Sequence, residues 1–111
     1  FPTFHDEGFR MVIFNSMALG LPIITTRIRA ARDYLREPDN CLWTEARSPE
    51  DTARQMIRLI EEPALRASMS RNNVESVRRF TAHNVAPEYI EIYRRLARTQ
   101  DPRAARREVL E

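Results

Sequence analysis

The sequence of 111 residues lacks the features that mark several common protein classes. Cys41 is the single cysteine, so no disulfide can form within the chain, which fits a reducing compartment. No apolar run approaches the roughly 20 residues that a membrane-spanning helix needs, and no signal peptide is visible. These absences argue against a small protein stabilised by disulfide bonds and against a transmembrane helix. They predict a cytoplasmic location.

Lysine is also absent, so all 18 basic residues are arginines. They are opposed by 16 acidic residues, which leaves a formal net charge of only +2. Because the arginines are spread along the whole chain, biased codon usage explains them better than a surface for nucleic acid. The sequence therefore predicts no nucleic-acid partner, and an arginine-rich nucleic-acid binder stays the weakest of three hypotheses.

Apolar residues that are present follow a pattern of alternating strands and helices. Phe1 to Phe4 resembles the end of a strand, and Arg10 to Leu19 has apolar residues at helical spacing. That helix is apolar on most sides, so it is predicted to be buried on most sides. Gly20 is a good residue to end it, Pro22 prevents its continuation, and residues 23–26 are a β-branched strand.

The remainder of the chain adds one more strand and several helices. Ser48 followed by Pro49 is a strong helix start, and Asn84 is the predicted cap of the last long helix. The predicted elements are a helix at 27–36, a turn at 37–40, an edge strand at 41–44 and helices at 49–62, 63–80 and after 84. Alternation of this kind predicts an α/β fold with a parallel, Rossmann-like sheet followed by a helical tail. About three strands are few for such a sheet, which suggests that upstream strands are missing and that the chain is a piece of a larger protein.

One turn, from His5 to Gly8, carries most of the functional information. In parallel sheets ligands bind at the carboxyl ends of the strands, where this turn is predicted to lie. The helix that follows offers free backbone N–H groups to an anion, and Gly8 lets a ligand approach the backbone. Glu7 is suited to accept hydrogen bonds from hydroxyls, and Asn15, an amide predicted to be buried in an apolar helix, needs partners. An acid and an amide around an anion site suit a nucleotide sugar.

The stretch EGFRMVIFNSMALGLPIITT, residues 7–26, resembles the signature of the retaining group 1 (GT4) glycosyltransferases of the GT-B fold. In that family a Glu-Gly-Phe turn precedes a helix with a second Glu and then Ala-Met-Ala-x-Gly-x-Pro. The downstream stretch from Arg36 to Asn72 is similar to the family's next strand and helix. The resemblance covers residues 1 to about 96 and implies the C-terminal half of the family's donor-binding domain.

The resemblance implies roles for individual residues at the turn and in the helix. Glu7 matches the acid that binds donor-sugar hydroxyls, and it is the candidate catalytic residue. Asn15 stands where the family has the Glu that binds the ribose. The other donor-binding candidates match the loop and helix start that approach the sugar and diphosphate, and they are Gly8, Phe9, Arg10, Met11 and Val12. No metal site and no cofactor are expected besides the nucleotide-diphosphate sugar, which is the donor substrate.

Four residues at three places in the sequence depart from the family pattern. Asn15 offers one neutral acceptor in place of a bidentate carboxylate, so nucleotide affinity is lowered or the donor is altered. Arg29-Ala30 replaces a frequent Gly-Gly, and Cys41 replaces a frequent turn glycine. These departures keep a second hypothesis open, in which the chain is a degenerate, non-catalytic module for binding or assembly.

The predicted domain organisation is a partial nucleotide-sugar-binding domain over residues 1–99 and a charged tail over residues 100–111. The resemblance implies transfer of a hexose with retention, in partnership with an N-terminal acceptor-binding domain. It also allows peripheral membrane contact through the acceptor. Because the family's catalytic site closes between two domains, the chain alone is expected to be inactive. Because the chain starts with an apolar segment and has few strands, it is also expected to self-associate.

Overall fold

A computed structural model describes residues 2, 3, 5, 8, 11–28 and 31–98. Contacts divide the chain into two units, residues 1–77 and a second unit that begins at Arg78. In the first unit the elements are α1 (Met11–Ala18), β1 (Ile24–Thr26), α2 (Ala31–Tyr34), β2 (Leu42–Thr44), α3 (Pro49–Glu61) and α4 (Pro63–Val77). The second unit contains a 3₁₀ turn, Arg78–Phe80, and α5 (Ala82–Arg98).

The two strands pair in parallel, with Ile24 opposite Leu42 and Thr26 opposite Thr44. Both strands are therefore oriented with their carboxyl ends at the same edge of the sheet. The expected α/β class with a parallel sheet and following helices is confirmed. The strand predicted at 1–4 is not seen at Pro2 and Thr3, and its ends, Phe1 and Phe4, lie outside the described residues.

The core of the first unit lies between the two strands, α1, α2 and α4. Phe14 of α1 and Tyr34 of α2 have ring centroids 4.7 Å apart, which joins these helices directly. Cys41 is buried here, and burial together with the negative charge of Glu37 raises the pKa of its thiol to about 12. The hydrophobic core comprises Ile13, Phe14, Met17, Ile23, Ala31, Tyr34, Leu35, Cys41, Leu42 and Met69.

Helix α1 ends as the sequence predicts. Gly20 has φ +66°, the N–H of Gly20 donates to the carbonyl of Met17, and the N–H of Leu21 donates to that of Ser16. This pair of bonds is the Schellman motif, which satisfies carbonyls that the last turn leaves free. Glycine is also required by space, because a Cβ at Gly20 would lie 2.8 Å from Ser70 Oγ on α4.

Replacing Gly20 with Ala is expected to lower the free energy of unfolding by about 1 kcal/mol, the cost of a left-handed backbone at a residue with a Cβ. Gly8→Ala is the matched control, because among the described residues a Cβ at Gly8 meets nothing within 4 Å. Chemical denaturation of both variants measures the difference. Equal stabilities for the two variants would contradict the left-handed conformation of Gly20.

Four predictions of local structure need correction. The helix expected at 27–36 is shorter, since α2 spans only Ala31–Tyr34 and residues 27 and 28 are not helical. Asn84 is not the cap of α5, because the helix begins at Ala82 and the Asn84 side chain donates to the Arg78 carbonyl at 2.7 Å. The helical spacing of apolar residues in α3 and α5 predicts that each helix packs through an apolar face. These residues are instead largely exposed, and they include Met56, Ile57, Ile60, Tyr89, Ile92 and Tyr93.

The fourth correction concerns α1, which is covered on one side only. Ile13, Phe14 and Met17 are buried, whereas Met11 and Leu19 are 60% and 75% exposed. An apolar sequence makes burial favourable, but it needs an element to cover each side. Among the described helices, α4 makes the main contact with α1, and one helix cannot cover the whole circumference.

Candidate functional site

The segment that leads into α1 is anchored at the carboxyl end of β1. The hydroxyl of Thr26, the last residue of β1, donates to the carbonyl of Thr3 at 2.5 Å. The Thr3 hydroxyl in turn accepts from the N–H of His5 at 3.2 Å. These two bonds locate the start of the predicted turn at the edge of the sheet where ligands bind in parallel α/β folds.

Gly8 has no visible structural reason to be glycine. It is not among the described residues with a positive φ, and among those residues a Cβ on it would meet only open space. A glycine needed for neither backbone conformation nor packing is compatible with close approach by a ligand. Its proposed part in donor binding stays a prediction.

The uncovered face of α1 carries three of the donor-binding candidates. Met11, Val12 and Asn15 are all exposed. Because residues three and four apart lie on the same face of a helix, all three side chains lie on one side of α1, near its start. Ala18 and Leu19 continue the same face toward the end of the helix. The structure therefore brings these three candidates together beside the N-terminus of α1.

Asn15 is exposed rather than buried, which corrects the expectation of a buried amide. It lies on the side of α1 opposite Ile13 and Met17, the residues that α1 turns toward the core. No hydrogen bond between described residues involves its side chain, so its amide is available on an otherwise apolar face. This position is compatible with a ligand contact, and the predicted role in ribose binding stays a prediction.

The remaining candidates, Glu7, Phe9 and Arg10, lie outside the described residues. So does Arg29-Ala30, the pair that departs from the family pattern after β1. Their roles rest on the sequence and stay predictions.

The loop after β2 completes the same edge of the sheet, and sequence reasoning recognised it only as a helix start. Ser48 caps α3 as predicted, with its hydroxyl accepting from the N–H of Asp51 at 3.2 Å. Asp51 also accepts from the N–H of Glu45 at 2.7 Å, and the hydroxyls of Thr44 and Thr52 are 3.0 Å apart. These bonds tie the carboxyl end of β2 to the first turn of α3.

A cavity of about 440 Å³ opens beside this loop. It is mostly apolar, and it is lined by Pro2, Arg47, Ser48, Pro49, Thr52, Ala53 and Met56. Pro2 links it to the segment that leads into α1. No sequence motif predicts this cavity, because residues as far apart along the chain as Pro2 and Met56 line it.

Within the described part of the chain, no three His, Cys, Asp or Glu side chains are grouped so that they could hold a metal ion. None of the helices in that part is both long enough and apolar enough to cross a membrane.

Residues 1–76 match the family model described as glycosyl transferases group 1. The chain belongs to this family. The match includes the anchored segment, the predicted turn, α1 and both strands, so the family signature and the sheet edge described above coincide. The resemblance inferred from the sequence is confirmed.

Curated relatives of this group 1 chain are similar over most of its length. D-inositol 3-phosphate glycosyltransferase of Nocardioides sp. is 24% identical over 91 residues, which are 82% of this chain and 20% of the relative. The enzyme of the same name from Acidothermus cellulolyticus is 29% identical over 90 residues, 81% of this chain and 20% of the relative. An uncharacterized glycosyltransferase of Methanocaldococcus jannaschii is 28% identical over 92 residues, 83% of this chain and 26% of the relative. The chain therefore spans a fifth to a quarter of the length of these relatives.

Solved structures agree on the fold. Sucrose-phosphate synthase from Thermosynechococcus elongatus superimposes with a TM-score of 0.79 at 23% identity, over 86% of this chain and 24% of that one. HepE from Anabaena, solved in complex with UDP, gives a TM-score of 0.81 at 20% identity, over 86% of this chain and 26% of that one. At these identities the likeness establishes the GT-B type of fold and leaves ligand contacts open.

Proposed function

We propose that the chain is the donor-binding part of a glycosyltransferase that transfers a hexose from a nucleotide-diphosphate sugar to an acceptor. The observation that carries the proposal is the bond from Thr26 to the Thr3 carbonyl. It supports a ligand site that is built from the turn before α1, at the carboxyl edge of the sheet. The exposed side of α1, with Met11, Val12 and Asn15, would form one wall of that site.

The chemistry requires positioning and charge stabilisation. The bond between the anomeric carbon and the diphosphate oxygen breaks, and the diphosphate leaves with the electron pair, so negative charge develops on it. The oxygen of the acceptor hydroxyl bonds to that carbon and releases its proton, which the departing diphosphate can accept. Backbone N–H groups at the start of α1 are suited to stabilise this charge because they have no partner within the helix. Glu7 would orient the sugar hydroxyls, and Asn15 would accept from a ribose hydroxyl.

We propose retention of configuration at the anomeric carbon and no obligatory metal or other cofactor, as the family resemblance implies. The acceptor-binding domain, a membrane contact through the acceptor and a cytoplasmic location stay predictions. So does self-association, for which the exposed apolar residues of α1, α3 and α5 provide surface. The domain boundary expected at residue 99 also stays a prediction.

Asn15 supports the second candidate function, a degenerate module that no longer binds nucleotide tightly. An amide gives weaker hydrogen bonds to ribose hydroxyls than the carboxylate found at this position in the family. Under this hypothesis the chain keeps the fold and the apolar surfaces but serves in binding or assembly.

Titration of UDP into ¹⁵N-labelled chain tests the two candidates. Saturable binding is expected, with the largest amide shifts at Gly8, Met11 and Val12, because their N–H groups surround the start of α1. Shifts at α5 serve as the internal control and are expected to be small. If no amide near α1 moves up to millimolar UDP, the donor-binding proposal is wrong for this chain and the module is favoured.

A further inference from the structure

A second cavity, of about 340 Å³, lies beside α2 and β2. Its lining residues come from the end of β1, from α2 and the turn after it, and from the middle of β2. They are Arg27, Arg32, Leu35, Arg36, Glu37 and Trp43. None of them belongs to the turn before α1 or to the exposed face of α1. We propose that this cavity binds a phosphate monoester at a site separate from the proposed donor site.

Charge is the first reason. Three arginines face one glutamate around the cavity, so its lining has an excess of positive charge. The ion pairs between described residues join Arg54 to Asp51, Arg58 to Glu62 and Arg95 to Glu91. Within that described set none uses an arginine of the cavity, so a dianionic ligand would not have to displace a described carboxylate that is already paired with one of these guanidinium groups.

The second reason is that one of the three guanidinium groups is already fixed in place. Nη1 of Arg36 donates to the carbonyl of Arg32 at 2.6 Å and to that of Leu35 at 2.8 Å. A guanidinium has five N–H donors, so Nε and Nη2 keep three of them for a ligand. Because the side chain is ordered before binding, less conformational entropy is lost when a phosphate is held.

Glu37 is also fixed, in a way that limits its competition for the arginines. Leu42 donates its N–H to the Ile23 carbonyl across the sheet, so the N–H of the next residue, Trp43, points away from β1. Glu37 Oε1 accepts that N–H at 3.2 Å. The carboxylate is thus engaged at the free side of β2, and it bounds the cavity there.

Size and shape define the class of ligand. A cavity of about 340 Å³ is at the small end of the range of roughly 300–1,000 Å³ that small-molecule sites occupy. It is larger than a bare phosphate requires, and the half-buried Trp43 provides a flat, partly apolar wall. A phosphate carried on a sugar-sized group fits this combination better than an extended nucleotide. This proposal is independent of the proposed glycosyl transfer, because binding of a phosphate monoester can be measured on the chain alone, without any transfer reaction.

Trp43 is the single tryptophan of the chain, so its fluorescence reports on this cavity. Titration with glucose 6-phosphate at constant ionic strength is expected to give a saturable change. Arg32→Gln is expected to raise the dissociation constant about tenfold, because one charge-assisted hydrogen bond is lost. Arg71→Gln removes the same charge from an exposed position on α4 outside the cavity, and it should leave the constant unchanged.

The remaining arms decide which part of the ligand is recognised. Inorganic phosphate that binds as tightly as glucose 6-phosphate would show that the cavity holds the monoester through its phosphate group alone, and weaker binding of inorganic phosphate would show that the cavity also contacts the group that carries the phosphate. Either result supports the proposal. Glucose that binds as well as its phosphate, no saturable change with either phosphate, or equal weakening by Arg32→Gln and Arg71→Gln would overturn it. Arg27→Gln, checked for folding by its melting curve, repeats the test if Arg32→Gln does not fold.

Discussion

Glu7→Gln is expected to reduce hexose transfer by about 10²-fold or more, because a donor that is held in the wrong orientation loses the advantage of positioning. Glutamine keeps the size of the side chain and one acceptor oxygen, but it removes the charge that strengthens hydrogen bonds from sugar hydroxyls. The loss should fall mainly on kcat, since the nucleotide part of the donor is bound elsewhere. The measurement is the initial rate of transfer by the full-length protein.

Glu61→Gln is the matched control, because it removes the same charge from an exposed residue at the end of α3. It should transfer at the unmodified rate. Both variants are expected to melt at the temperature of the parent protein, since Glu7 precedes α1 in a predicted turn and Glu61 is exposed. Unchanged turnover by Glu7→Gln would remove Glu7 from the site, whatever the fate of the donor-binding proposal.

The fold features that sequence could predict are those set by a few adjacent residues. Gly20 and Pro22 end α1 as expected, since a left-handed residue followed by proline stops a helix. Ser48 caps α3 for a similarly local reason, because its hydroxyl reaches an N–H only three residues away. The strand at 24–26 follows from its β-branched residues, and its parallel pairing follows from the helix between the strands.

Features that depend on distant partners escaped prediction. Asn73 is fully buried on α4, and its amide donates to the Leu21 carbonyl at 2.9 Å. Its oxygen accepts from the Asn40 amide at 3.2 Å. Asn73 thus connects the turn after α1 to the turn before β2, yet its neighbours in sequence give no sign of this. A polar residue in a helix that is itself largely polar suggests exposure until its partners are known.

The exposure of much of α1 also escaped prediction, because burial of a helix depends on distant elements that cover it. Apolar residues around its circumference predicted burial on most sides, and only the side toward α4 and the core is covered by described residues.

The start of α5 was predicted too late because another residue supplies its first acceptor. The carbonyl of Thr81 accepts from the backbone N–H groups of both Asn84 and Val85. The first turn of α5 therefore starts earlier than an Asn cap would place it.

The candidate functional residues also divide into those that a local motif predicts and those that depend on how distant segments meet. Sequence named Gly8, Met11, Val12 and Asn15 from a motif, and the structure places the last three on one exposed face. The arginine-lined cavity had no sequence signal, because its residues span from Arg27 to Trp43 and follow no motif. A motif reports residues that a family shares, whereas a cavity is formed by how separate segments meet.

Asn15→Glu is expected to raise the affinity for UDP by about an order of magnitude. The substitution supplies the carboxylate that the family uses for two ribose hydroxyls. Charge-assisted hydrogen bonds contribute roughly 1.5–3 kcal/mol against about 1 kcal/mol for neutral ones, and about 1.4 kcal/mol is tenfold in affinity. Because Asn15 is exposed and has no side-chain hydrogen bond within the described part of the chain, the new charge stays hydrated and stability should be preserved.

Calorimetric titration of UDP into the parent chain and the variant measures the effect, with melting curves as the check on folding. Ala18→Glu places a carboxylate on the same exposed face of α1, nearly one turn further along. It should not raise affinity, because an added negative charge that meets no hydroxyl only repels the diphosphate. A gain with Asn15→Glu alone supports nucleotide binding at this face and disfavours the degenerate module. Equal affinities for parent and variant at equal stability would show that Asn15 does not contact the ribose.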